Sequence, residues 1–167
     1  FLIYTSSNGK FMAAFDGLDI SSNVNIAESA WTYISVVFTG ITGDVLLYKN
    51  GNLVETFYNS PFSISLSGSG YLLFGQDQDS YGGGFQSSQA FYGKLDNIEI
   101  WDTALSQQEI QQYMNCPPTG SESGLSGYWN FEEGPGNTVA LDQTANGNNG
   151  TINGATYDTN VPQQSCT

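Results

Sequence analysis

Asn50-Gly51 joins two short strand-like runs, "DVLLYKN" and "NLVETFY". Both residues tolerate positive φ, so the pair predicts a two-residue hairpin turn joining two antiparallel strands. Four further Asn-Gly pairs punctuate the chain, at 8, 146, 149 and 153. The runs 32–38, 44–50, 52–58, 70–75, 95–101 and 127–133 are short, aromatic or β-branched, and bounded by Gly, Asn and Ser. Repeated hairpins at this spacing predict an all-β, antiparallel two-sheet sandwich.

One helix interrupts the pattern near residues 106–114. Ser106 and Glu109 carry the S-x-x-E spacing of a capping box, and Leu105 and Ile110 occupy the two positions of a hydrophobic staple. Ile110, Tyr113 and Met114 then share one side, which predicts packing on a sheet. The segment 115–167 is rich in Gly and Asn but holds "LSGYWNFEEG", a strand candidate, and successive turns around one more hairpin. The whole of 1–167 therefore reads as one domain with C-terminal return strands. Its 167 residues suffice for a sizeable core.

Charge excludes several functions. Sixteen acids face three lysines, with no arginine or histidine, for a net charge of −13. Nucleic acid is excluded as a partner, because no basic patch can displace counterions from phosphates. No apolar run reaches the length of a membrane span. Without histidine, the Ser-His-Asp and Cys-His constellations and most zinc and copper sites are missing, which leaves hard, oxygen-liking metals. Cys116 and Cys166 lie 50 positions apart and read as a disulfide in a secreted or surface-exposed chain, worth ~4 kcal/mol on the chain-entropy model. Two buried thiols are the alternative. The sequence opens at Phe1 with neither methionine nor leader and so reads as processed, or cut from something longer.

The chemistry-bearing stretch is "GQDQDSYGGGFQSSQ", residues 75–89. In extended backbone Asp77 and Asp79 point to one side, and the Gln78 carbonyl between them can face the same point. Glycines 82–84 let the chain double back, bringing the Gln86 and Gln89 amides within reach. Carboxylates, a carbonyl and amide oxygens make a donor set for calcium, without EF-hand spacing. The same residues also describe a solvated acidic hairpin tip. Tyr81 and Phe85 beside the loop either line a ligand pocket or pack its base.

The stretch "LLFGQDQDSYGGGFQSSQAFYGKLDNIEIWDTALSQQEI" resembles the C-terminal half of the pentraxins. The pattern runs G-Q-x-Q-D-x-x-G-G-x-F, then S-Q, then a strand ending in Trp, then L-S-x-x-E-I. The resemblance extends over about residues 1–133, and "WTYISVVF", "LYKNG" and "GYWNFEEG" are shared more loosely with laminin-G and concanavalin A-like domains. It implies a jelly roll in which Asp77, the Gln78 carbonyl, Asp79, Gln86 and Gln89 ligate Ca2+. It further implies calcium-dependent binding of carbohydrate or phosphorylated ligands by a secreted or cell-surface lectin, with a second copy of the chain as an allowed partner.

Three departures qualify the expectation. Gln86 stands where the family usually carries glutamate, which weakens a second ion. The family's Asp-Asn pair and first strands would fall before Phe1, so another segment or copy is expected to supply them. Ser35 occupies the place of a family cysteine, so Cys116–Cys166 is a different bridge. An enzyme is not expected: along "LDNIEIWD" the residues sharing Asp96's face are Ile98 and Ile100, and Glu99's neighbour is Trp101, so the paired carboxylates of glycoside hydrolysis are missing. Glu132 and Glu133 are adjacent and read as surface. Residues 142–151 read as a turn series, with a second calcium site as the alternative. The competing functional reading is a structural or adhesion module of a larger surface protein.

Overall fold

The computed structural model describes residues 2–15, 18–40, 43–57 and 70–166. Three strands, β1 (Leu2–Thr5), β2 (Lys10–Phe15) and β3 (Leu18–Asn25), form one antiparallel sheet in that order. A second sheet follows from β4 (Ile34–Thr39), β5 (Asp44–Lys49) and β6 (Asn52–Phe57), again as consecutive hairpins. Asn50 (φ 50°) and Gly51 (φ 73°) join β5 to β6, both left-handed as the two-residue turn requires. Tyr58, the last residue of the expected run 52–58, lies outside the described residues.

The two sheets bury one another through alternate positions. Phe11 and Ala13 of β2, Ile20 of β3, and Val45 and Leu47 of β5 form a core, flanked by Val24, Ile34, Val36, Phe38 and Phe57. At its margin the Ser22 hydroxyl donates to the Glu55 carboxylate and accepts from the Val24 N–H, so this buried hydroxyl is satisfied. The other face of β4–β5 is covered as well. Val37 and Tyr48 pack on Ile110 of helix α1 (Gln107–Asn115), with Tyr33, Leu46 and Leu105 around them. Burial on both faces explains why "TYISVVF" and "DVLLYKN" contain so few polar residues.

Helix α1 begins as its sequence dictates. Ser106 Oγ accepts from the Glu109 N–H and the Glu109 carboxylate accepts from the Ser106 N–H at 2.7 Å, a complete capping box. At its other end the chain terminus returns. The Cys116–Cys166 disulfide is formed, the Ser165 N–H donates to Asn115 O at 3.0 Å, and Gln164 Nε2 donates to Met114 O at 3.4 Å. The tail thus satisfies carbonyls that the last helical turn leaves open.

Strands β7 (Ile98–Trp101) and β8 (Leu125–Trp129) pair antiparallel, and β9 (Val139–Ala140) with β10 (Gly150–Thr151) makes the expected C-terminal hairpin. Two expectations shift. Residues 70–75 form no strand, because no ladder partner runs beside them among the described residues; Gly75 O accepts only the Phe91 N–H. The run 127–133 is extended only to Trp129, and Phe131 at φ 55° then turns the chain away.

Candidate functional site

The loop 75–91 is closed at its base by the Phe91 N–H donating to Gly75 O at 2.8 Å. Its tip is a tight turn in which Ser80 and Gly83 exchange backbone hydrogen bonds at 3.2 and 3.0 Å. Gly82 (φ +64°) and Gly84 (φ +73°) sit in the left-handed region. A Cβ on Gly84 would come within 3.0 Å of Asp79 Cβ, so glycine there lets the returning limb approach the acidic one. That limb ends in a single 3-10 turn, Ser87–Gln89, matching the helix-like spacing between Gln86 and Gln89.

These turns bring Asp77, Asp79, Gln86 and Gln89 together. Gln86 Nε2 donates to Asp79 Oδ2 at 2.5 Å, and Gln89 Nε2 lies 3.4 Å from Asp79 Oδ1 and 3.5 Å from Asp77 Oδ2. Gln76 Nε2 ties the limbs again through Gln86 O at 2.8 Å. The Gln78 side chain points elsewhere: its Nε2 reaches Tyr71 O at 3.3 Å and its Oε1 accepts the Gly82 N–H at 3.0 Å. The two amides occupy the space between the carboxylates with their donor ends. Rotation by half a turn about the last side-chain bond presents Oε1 instead, giving an all-oxygen set suited to a hard cation. Among the described residues no three acidic, histidine or cysteine side chains gather anywhere, so the cluster's capacity for an ion depends on those amides.

Beside the cluster, the Tyr71 and Tyr81 rings meet edge to face with centroids 4.9 Å apart. Gly70, Tyr71, Gln78, Asp79, Ser80 and Tyr81 line a depression of about 330 Å³. Tyr81 therefore borders a pocket, whereas Phe85, 55% exposed, is not among its lining residues.

The remaining acids have structural settings. Asp142 accepts from the N–H groups of Tyr128, Thr144 and Asn148 and from the Thr144 hydroxyl, between 2.9 and 3.1 Å. These bonds hold its carboxyl below the usual carboxylate range despite burial, and they pin the turn between Asp142 and Asn148 that precedes β10. Glu133 accepts from the Leu141 N–H and the Tyr157 hydroxyl, while Glu132 is exposed. Glu99 shares a strand face with Trp101, whose indole donates to Oε2 at 3.0 Å. Its Oε1 is buried without a hydrogen-bond partner among the described residues. Burial pushes its carboxyl up to about 7, against the pull of Trp101 and the nearby Tyr33 hydroxyl. Sequence parity paired Glu99 with Trp101 but gave no signal of this burial.

Comparison with known proteins agrees with the fold. The Pentaxin family model matches residues 1–123. Jeltraxin of Lepidobatrachus laevis is 31% identical over 68% of this chain and 50% of its own length. Human Pentraxin-4 is 36% identical over 51% of this chain and 18% of its own. The rat sushi, von Willebrand factor type A, EGF and pentraxin domain-containing protein 1 is 24% identical over 86% of this chain, which spans 4% of that protein. This chain thus spans half or less of these relatives. Among solved structures, the heptameric SAP-like pentraxin from Limulus polyphemus superimposes with a TM-score of 0.55 at 27% identity, covering 70% of this chain and 57% of its own. A proposed carbohydrate binding protein from Bacteroides ovatus gives 0.63 at 22% identity over 90% of this chain and 43% of its own, a likeness of fold alone. The antiparallel sheets, the capped helix and the family match over 1–123 lead to one conclusion: this chain is a jelly-roll protein of the pentraxin family.

Proposed function

We propose that this chain is a calcium-dependent binding module for carbohydrate or phosphorylated ligands, acting outside the cell as a single lectin-like domain. The observation that carries the reading is the convergence of two carboxylates and two amides from opposite limbs of one closed loop. Asp77 and Asp79 would supply the charge, Gln86 and Gln89 their amide oxygens, and Gln78 its backbone carbonyl. A bound calcium ion offers an electrophilic centre to hydroxyl or phosphoryl oxygens of a ligand. The role is binding rather than catalysis.

Several observations support the wider reading. The Cys116–Cys166 bridge suits an oxidising compartment. No helix among the described residues is long and apolar enough to cross a membrane. The heptameric state of the Limulus protein favours a second copy of this chain as a partner. A scaffold or adhesion role within a larger surface protein is the second reading, favoured by the rat relative, of which this chain spans 4%.

Thermal melts of the chain and of Asp79→Asn, in millimolar calcium and in chelator, separate the two. The binding reading expects calcium to raise the parent midpoint, by about 2.7 kcal/mol of stability at a hundredfold excess over Kd, and to leave Asp79→Asn unmoved. A parent midpoint indifferent to calcium favours the scaffold.

A further inference from the structure

Each of the five Asn-Gly pairs is a place where asparagine can lose its amide to the nitrogen that follows it. The reaction is favoured by glycine in second place, whose missing Cβ lets its nitrogen approach. It also needs two freedoms that a fold can withhold. The glycine N–H must be unpaired, because its nitrogen becomes the nucleophile. The asparagine side chain must be untied, because its Cγ has to swing onto that nitrogen. A contact that blocks either motion must first open, and the free energy of opening slows the reaction.

Four pairs are held. The Gly9 N–H donates to Ser6 O at 2.9 Å. Asn50 Oδ1 accepts the Tyr33 N–H at 2.9 Å, and Gly51 is buried, with Gln111 Cγ 2.7 Å from where a Cβ would stand. Asn146 Nδ2 donates to Ser126 O at 3.0 Å, and the Gly147 N–H to Thr144 O at 3.4 Å. Asn149 Oδ1 accepts the Asp142 N–H at 3.0 Å, and Gly150 lies in β10 opposite Ala140.

The fifth pair is free. The Ile152 N–H donates to Thr138 O at 2.8 Å and anchors the chain just before it. Asn153 and Gly154 are exposed and lie beyond the end of β10. Asn153 Nδ2 reaches only Thr151 O, at 3.5 Å, and the Gly154 N–H has no partner among the described residues. Gly154 sits at φ 81° with nothing within 4 Å of the place a Cβ would take, so a ring has room to close there.

We infer that Asn153-Gly154 is a site of spontaneous modification in the folded chain, where water converts Asn153 to aspartate and isoaspartate through a succinimide while the other four pairs persist. The Gly154 nitrogen yields its proton to solvent base and bonds to Asn153 Cγ. The Cγ–Nδ2 bond breaks, and ammonia leaves with a proton returned from solvent. Water then adds to either carbonyl of the imide and reopens it. Nothing is oxidised or reduced, and water is the one reagent consumed. The product carries one more carboxylate than the parent's net charge of −13 includes, and its isoaspartyl form lengthens the backbone by a methylene beyond the hairpin.

The test incubates the whole folded chain in mildly alkaline heavy-oxygen water at body temperature, beside a second sample kept unfolded in urea. Peptic peptides, cut in acid where the imide forms slowly, are then weighed for the exchange of NH2 by labelled OH. In the folded sample Asn153 should react at least about tenfold faster than each of Asn8, Asn50, Asn146 and Asn149, and in urea the five rates should come within about threefold of one another. Asn153→Gln should remove the early acidic species seen by isoelectric focusing of the folded chain. Another pair reacting as fast as Asn153 in the folded sample would overturn the inference. So would an Asn153 that stays unlabelled there, the same ratio of rates in both samples, or an acidic species that persists in Asn153→Gln.

Discussion

Gln86 Nε2 sits 2.5 Å from Asp79 Oδ2, so the returning limb of the loop is bound to the acidic limb through a side-chain amide. The amide neutralises nothing; it fills the space with a donor. Gln86→Glu replaces that donor with a third carboxylate facing Asp79. Without calcium the variant should melt lower than the parent, through like-charge repulsion. With calcium its affinity should rise about tenfold, since affinity follows ligand charge. Paired melts and calorimetry check both signs, and equal affinities in parent and variant contradict the role given to residue 86.

Glu99 sets a pH dependence. Its carboxyl is raised from 4.5 to about 7 in the folded chain, chiefly by burial. The folded state therefore holds this proton more tightly than the unfolded one. The associated stability is complete below pH 4.5 and is lost as pH rises through about 7. Glu99→Gln removes the titration while keeping an acceptor for the Trp101 indole. The variant should gain on the parent as pH rises, by about 1–3 kcal/mol above neutrality. Urea unfolding of both proteins from pH 4 to 9 gives the difference, and a constant difference across that range contradicts the assignment. Asp142, whose carboxyl is lowered by its donors, contributes in the opposite sense and cancels in the comparison.

The Cys116–Cys166 bridge closes a span of 50 residues and brings Gln164 to Asn97, where Asn97 Nδ2 donates to Gln164 Oε1 at 3.1 Å. Replacing both cysteines by serine should lower unfolding stability by ~4 kcal/mol. Calcium affinity should stay within about twofold, because among the described residues no hydrogen bond or ion pair joins the tail to the 77–89 cluster, and independent sites add. A large loss of calcium binding would show that the tail supports the loop.

Legibility in the sequence followed locality. The Asn50-Gly51 hairpin, the Ser106–Glu109 box and the glycines at 82 and 84 are conditions on neighbouring residues, so residue type alone betrays them. The convergence of Asp77, Asp79, Gln86 and Gln89 was readable for the same reason: one short loop contains all four. Strands β1 to β3 were not, because "DISSNVN" carries its inward Ile20 and Ser22 among polar residues, and only pairing with β2 reveals the face. Residues 70–75 misled in the opposite direction, being apolar enough for a strand but lacking a ladder. The four donors on Asp142 come partly from Tyr128, 14 positions away, and the Tyr33 hydroxyl that acts on Glu99 is further still along the chain. Neither distance leaves a periodic trace.

Calcium titration of the chain by isothermal calorimetry, alongside Asp77→Asn and Asp79→Asn, tests the central claim most directly. The account predicts saturable binding by the parent, with at least tenfold weaker binding by each variant and unchanged folding by circular dichroism. No heat of binding to the parent, or equal affinities in all three proteins, would contradict it.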